Sequence, residues 1–285
     1  MTAALSDSKG AAPEGGRVLR TNPRSTLTRG AGLGLGVIVL WFSVLVLLPL
    51  AAVVAVAVNG GWEGFLTTLT NPQTAAAIEL TVLTSLAVAV LNVAMGTLIA
   101  WVLVRERFRG SRLLEVIIDV PFALPTIVAG LVLLALYGPS SPIGVNVANT
   151  RTAVFLAFAF VTLPFVVRSV QPVLEQLDRE AEQAAHSLGA SAGVTFRRIV
   201  LPALIPAIAA GAALSFARGV SEYGSLVLLS GNLALRTEVT SVRMLTYVEN
   251  GNLAAASVVA TVLLFVALVV LVAIDLLQRW LVRRG

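Results

Sequence analysis

Cysteine is missing from all 285 residues, and histidine occurs once, as His186. No disulfide can form, and a Cys/His zinc site is excluded. Carboxylates would be the remaining route to a metal, and none of them cluster suitably. The lone histidine has no serine and carboxylate arranged around it as a nucleophilic triad would require, so no catalytic residue is assigned. A phosphate-binding G-x-x-x-x-G-K-S/T loop is also lacking. Gly30, Gly32, Gly34 and Gly36 alternate in an apolar run with no strand before them, which leaves the chain without a nucleotide or cofactor site of its own. Charged side chains are scarce, at 12% against 57% hydrophobic ones, a balance beyond that of ordinary soluble domains.

Six apolar runs carry that excess, near 31–58, 77–104, 113–138, 152–174, 203–230 and 252–278. Each reaches the length of about 20 residues that a bilayer helix needs. The polar connections are short and leave no room for a soluble catalytic domain. The expected fold is therefore all-α, a polytopic membrane protein with six transmembrane helices. The net charge of +5 follows the membrane and does not point to a nucleic acid. Lys9, Arg17, Arg20, Arg24 and Arg29 precede the first run, and Arg105, Arg107, Arg109 and Arg112 separate the second from the third. Arg179, Arg197 and Arg198 follow the fourth run, and Arg279, Arg283 and Arg284 close the chain, whereas Arg151, Arg236 and Arg243 lie on the other side. Positive residues mark the cytoplasmic face, so both termini are expected there. Residues 1–29, rich in Gly, Ser, Pro and Arg, read as a disordered cytoplasmic tail. The run that follows is too long for a signal-peptide core and is expected to remain as an uncleaved anchor.

Within this frame a few polar and breaking residues stand out. Trp62 and Phe65 fall in the outside loop after the first span, where aromatic rings anchor at the water boundary. In the third run Pro121 and Pro125 stand four residues apart, and each removes a backbone donor, so the helix should kink or break there. That bend is either a packing kink or part of a pathway. Glu115 and Asp119 precede it and read either as charges at the membrane boundary, solvated by water or by Arg112, or as a substrate or proton site. In the fifth run Ser215, Arg218, Ser221, Glu222 and Ser225 recur at three- and four-residue spacing, which predicts a polar stripe on one helical face. Intramembrane charges are costly and face a bundle interior or water. Two readings follow: Arg218 and Glu222 neutralise each other to hold the bundle, or the stripe lines a path that favours an anion.

The stretch REAEQAAHSLGASAGVTFRRIVLP, residues 179–202, interrupts the oil. Asp178 is the expected N-cap of a helix running to Leu188, with Glu180 and Glu182 in its first turn and Gly189 supplying a left-handed end. Ser191 should cap a second short helix that carries Arg197 and Arg198 near its end, with Pro202 opening the next span. The predicted helix-turn-helix has a small apolar stripe, Ala181, Ala185 and Leu188, and a short exposed helix of this kind either docks on another surface or lies on the membrane, where its acidic start would be repelled by anionic lipid.

The order Gln183, Ala184, Ala185, three residues, Gly189, nine residues, then Ile199, Val200, Leu201 and Pro202 resembles the EAA loop of ATP-binding-cassette (ABC) importer permeases. One position departs from that pattern, because Gln183 stands where glutamate is expected, with Glu182 one place earlier. The resemblance extends over about residues 35–280 through PFALPTIVAGLVLLALYG, SLGASAGVTFRRIVLPALIPAIAAGAALSFARGVSEYGSLVLLSGN and TEVTSVRML. These are similar to the T-type (CysT-like) permeases of sulfate and thiosulfate importers. Molybdate and tungstate permeases share much of LSFAR-x3-E-Y/F-G, so that stretch alone leaves the anion open. The resemblance implies the type I importer (MetI-like) architecture in the inner membrane of a bacterium. It also implies a second, W-type permease, two copies of a cytoplasmic ATPase that hold ATP and Mg, and an extracytoplasmic sulfate-binding protein. The residues it assigns to ATPase coupling are Glu182, Gln183, Ala184, Ala185, Gly189, Ile199, Leu201 and Pro202. An anion carrier driven by an ion gradient and a membrane scaffold without transport are the rival readings that the residues leave standing.

Overall fold

The computed structural model describes residues 29–106 and 108–284, and among these it contains helices and no strand. The expected tail lies, through residue 28, outside the described residues, as does Arg107 of the basic stretch. The chain divides into two units, Met1–Pro49 and Leu50–Gly285. In the first, α1 (Arg29–Phe42) is followed by one π turn at Ser43–Leu47. Its large apolar side chains are exposed, Leu33 and Trp41 among them, as suits a helix with no polar face turned to lipid.

The second unit begins within α2 (Leu48–Asn59) and continues through α3 (Gly61–Thr70), α4 (Pro72–Arg105), α5 (Ser111–Ala123), α6 (Thr126–Tyr137) and α7 (Arg151–Gln176). Then come α8 (Arg179–Ser187), α9 (Ala192–Thr195), α10 (Leu201–Val220), α11 (Gly224–Leu229), α12 (Thr240–Glu249) and α13 (Leu253–Arg284). Among the described residues five helical stretches are long and apolar enough to cross a bilayer, and a sixth is the pair α5 and α6 if a bend of 117° is counted within one span. The predicted run 113–138 is therefore two helices.

Its break has a local cause. Pro125 cannot donate to the ladder and forces the residue before it out of helical geometry. Leu124 accordingly has ψ 136°, and Pro125 becomes the N-cap of α6. Pro121 sits inside the last turns of α5 without ending it.

Two predicted loops contain helices. The stretch with Trp62 forms α3, where the hydroxyls of Thr67, Thr68 and Thr70 each donate to the carbonyl four residues back. Trp62 and Phe65 stack there with ring centroids 5.6 Å apart. The second, α12, lies where only a connection was expected.

The core of this unit is the packing of α4, α7 and α10. Small residues let the backbones approach, the usual basis of helix association in lipid. A Cβ on Gly211 would come within 2.9 Å of the Val166 Cα, and one on Gly96 within 2.8 Å of the Val166 Cβ. At the centre Asn92 donates to Thr162 Oγ1 at 2.7 Å and to Ser215 Oγ at 3.1 Å, all three residues being buried. Thr162 donates in turn to the Phe158 carbonyl, so a chain of buried hydrogen bonds joins the three helices.

Candidate functional site

The segment after α7 begins as its residues dictate. Asp178 accepts a hydrogen bond from the Glu180 N–H at 2.8 Å and starts α8. The helix closes with Leu188 bonded to the Ala184 carbonyl, Gly189 to His186 and Ala190 to Ala185. Gly189 has φ +84°, the left-handed end expected of it. Ala181, Gln183 and Ala184 are exposed, Ala185 is half-buried, and Leu188 is 88% exposed.

Beyond Gly189 the expected second helix does not stand alone. Ser191 occupies the N-cap position, but its side chain makes no capping bond. From Ala192 the chain is helical through to Val220. A π turn at Phe196–Val200 carries it across Pro202, with the Leu201 N–H bonded to the Phe196 carbonyl five residues back. Widening the turn accommodates a proline that would otherwise clash with the Arg198 carbonyl. Pro202 therefore lies inside a continuous helix and does not begin it. Arg197 and Arg198 sit in the π turn, exposed, and Ile199, Leu201 and Pro202 are half-buried.

The departure at Gln183 acquires a geometric sense. Successive helical residues point about 100° apart, and Glu182 is the one turned toward the end of α4. Its Oε1 lies 2.5 Å from Arg105 Nη2, with only 9% and 19% of the Arg105 and Glu182 side chains exposed. Arg105 also lies over the Trp101 ring, 5.7 Å from its centroid. Arg179 donates to the Val104 carbonyl at 3.3 Å.

A second construction lies where two helix breaks meet. The predicted polar stripe assumed one helix through residue 230, but α10 ends at Val220 and α11 starts at Gly224. Glu222 falls between them, buried, and its Oε1 accepts from both the N–H and the hydroxyl of Ser225 at 2.9 Å. It thus satisfies a donor at the start of α11. Its Oε2 is 2.7 Å from Arg218 Nη1, an ion pair whose alignment falls short of a hydrogen bond.

Ser215 and Ser225 are buried, the former in the Asn92 trio. Only Arg218, with 29% of its side chain exposed, and Ser221 reach open space. Ser221 lines a largely apolar cavity of about 450 Å³ with Tyr223, Ser241 and Met244. The five residues are therefore not one face. α11 presses directly on α6: a Cβ on Gly130 would stand 2.6 Å from the Ser225 carbonyl, and one on Gly224 would overlap Thr126 Oγ1 and come within 2.9 Å of the Ile127 nitrogen. The two broken helices are locked to each other at their breaks.

Further polar contacts escaped the sequence reading. Asp119 is paired with Arg168 through both carboxylate oxygens, and Arg168 also donates to Gln171, which donates to Glu175. Water or Arg112 was expected to solvate Asp119, and Arg168, 49 positions away, pairs with it instead. The Ser241 hydroxyl on α12 donates to the Glu222 carbonyl at 2.7 Å, and Thr240 bonds Thr81 and the Ala77 carbonyl. In the connection before α12, burial pushes the Glu238 carboxyl above the usual glutamate range, partly opposed by Arg243. Among the described residues no group of acidic and histidine side chains could hold a metal.

Residues 92–284 match the family described as binding-protein-dependent transport system inner membrane component. The chain is 43% identical over 251 residues to the sulfate transport system permease protein CysT of Synechocystis sp., with 86% of this chain and 88% of that one covered. It is 41% identical over 262 residues to the protein of the same name from Escherichia coli, covering 90% and 95%. Among solved structures it is similar to a bacterial alginate ABC transporter crystallised with a pentasaccharide-bound periplasmic protein, at TM-score 0.73 and 16% identity, covering 88% of this chain and 94% of that one. At that identity the likeness is one of fold.

Proposed function

The chain belongs to the family of binding-protein-dependent transport system inner membrane components, and from that membership we propose that it is the permease subunit of an ATP-driven importer of sulfate, and of thiosulfate with it. The choice of anion is supported by what the relatives' names say they carry. The observation that carries the coupling is the exposed helix α8, ended by left-handed Gly189 and followed by the unbroken helix Ala192–Val220.

In this reading α8 docks on a separate cytoplasmic ATPase, which holds the ATP and Mg. A second, W-type permease completes the path, and an extracytoplasmic binding protein delivers the anion. The arginine-rich end faces the cytoplasm, with both termini, and lipid surrounds the apolar exterior. When two ATPase subunits draw together, α8 moves and carries the 192–220 helix with it. That displacement reaches the break at Arg218 and Glu222, where α11 and α6 are held together. Alternation requires an element that both sites bias, and this helix is such an element. The exposed part of the Arg218 guanidinium faces the path and lowers the barrier for a dianion, while Glu222 limits how tightly the anion is held.

The test is uptake of labelled sulfate, thiosulfate and molybdate by vesicles that contain the whole complex. ATP-dependent uptake of sulfate and thiosulfate is expected. Uptake of molybdate in preference would reassign the anion, and flux driven by an ion gradient with this chain alone would overturn the coupled reading.

A further inference from the structure

The lever α8 is joined to the membrane helices by the chain at both of its ends and also by contacts outside the chain. Covalently it follows α7 through Leu177 and Asp178 and leads through Gly189 into the helix Ala192–Val220. Non-covalently it is fastened to α4, which lies far from it in sequence. Glu182 Oε1 meets Arg105 Nη2 at 2.5 Å across 77 residues, in a site where the arginine side chain is 9% exposed and the glutamate 19%. Arg179, three residues earlier on α8, donates to the Val104 carbonyl in the last turn of α4. Arg105 lies over Trp101, and Trp101 meets Phe196 edge-on with centroids 5.5 Å apart and planes at 80°. Phe196 is the first residue of the π turn. The end of α4 therefore touches both the lever and the turn that follows it.

We propose that the Arg105–Glu182 ion pair is a latch that makes α4 a second output of α8, with Arg105 and Glu182 as positioning residues for coupling. The proposal rests on the reading of α8 as the ATPase-docking helix and specifies how its motion is divided. Without the latch, a displacement of α8 reaches the bundle through the chain at its two ends, and its hold on α4 is reduced to the single bond from Arg179 to the Val104 carbonyl. With it, α4 moves as α8 moves. α4 is 34 residues long and carries Ser85 and Asn92, which bear on α10 near Gly219 and at Ser215. The two outputs thus converge on the last turns of α10, which carry Arg218. Glu182 is suited to this task because Arg105 is too enclosed to meet a separate protein, whereas Gln183 next to it is exposed and free to do so.

The pair is tested in the assembled complex in vesicles, by measuring anion uptake and ATP hydrolysis together. Glu182→Gln is expected to raise the ATP used per anion carried at least about five-fold, the lower end of ordinary coupling between sites. The charge exchange Arg105→Glu with Glu182→Arg should bring the ratio back toward the wild-type value. Arg105→Lys, which keeps the charge and shortens the reach, should lie between, and provides a reading if Glu182→Gln fails to assemble. An unchanged ratio in Glu182→Gln overturns the latch. So does loss of hydrolysis or of the ATPase from the complex in Glu182→Gln without recovery in the exchange variant, since that outcome places Glu182 at the partner surface. Absence of ATP-dependent uptake by the wild-type complex would instead sink the coupled reading on which the latch rests.

Discussion

At Gly189 the backbone takes φ +84° with nothing within 4 Å of where a Cβ would stand, so the residue is demanded by conformation and not by crowding. The distinction yields a sharp comparison. Asparagine enters the left-handed region with little difficulty, whereas a β-branched residue does not. Gly189→Val should place about 1–3 kcal/mol of strain on that turn and change the angle at which α8 meets the following helix. Gly189→Asn should preserve it. In vesicles with the whole complex, ATP hydrolysis is expected to persist in Gly189→Val while sulfate uptake falls about tenfold, and Gly189→Asn should stay within about twofold of wild type, tenfold being about 1.4 kcal/mol. Wild-type uptake by a stably inserted Gly189→Val protein would show that the turn does not transmit motion.

Among elements, the two breaks differ in how they arise. Proline and the residue before it account for the α5–α6 break, and Asp178 with Gly189 bounds α8, so these were legible from local chemistry. The α10–α11 break has no proline. LSFARGVSEYGS reads as continuing helix, and the interruption is stabilised by Glu222 bonding Ser225, by Ser241 reaching the Glu222 carbonyl and by the fit of Gly224 against Thr126. Two of those three contacts come from other helices, which is why periodicity placed Ser215, Arg218, Ser221, Glu222 and Ser225 on one face when the fold disperses them. The pairing of Asp119 with Arg168 was hidden for the same reason. The close approach is open to a direct check. Gly224→Ala should destabilise the protein by about 1–3 kcal/mol, because a methyl group there must push Thr126 or the Ile127 backbone aside. Gly193→Ala, in helix and with nothing within 4 Å, should be neutral or slightly stabilising, by up to about 1 kcal/mol. Thermal unfolding in detergent separates the two. Equal Tm values would mean that α6 and α11 are not held in contact.

At the scale of the whole molecule, the question is whether the charge pair beside these breaks serves packing or passage. Glu222 is held by Ser225 as well as by Arg218, so removing Arg218 leaves a buried carboxylate with half its partners. Breaking a buried pair in this way costs about 3–5 kcal/mol, and a loss of uptake in Arg218→Gln alone would not distinguish the two roles. The double variant Arg218→Gln with Glu222→Gln does so. An amide at 222 can still accept from Ser225 and carries no unpaired charge, so the packing role predicts that the double variant assembles and transports nearly as wild type. A guanidinium that eases a dianion through the bundle predicts assembly at wild-type levels with uptake at limiting sulfate still reduced about tenfold or more. The second outcome is expected, because 29% of the Arg218 side chain remains open while Glu222 is fully enclosed.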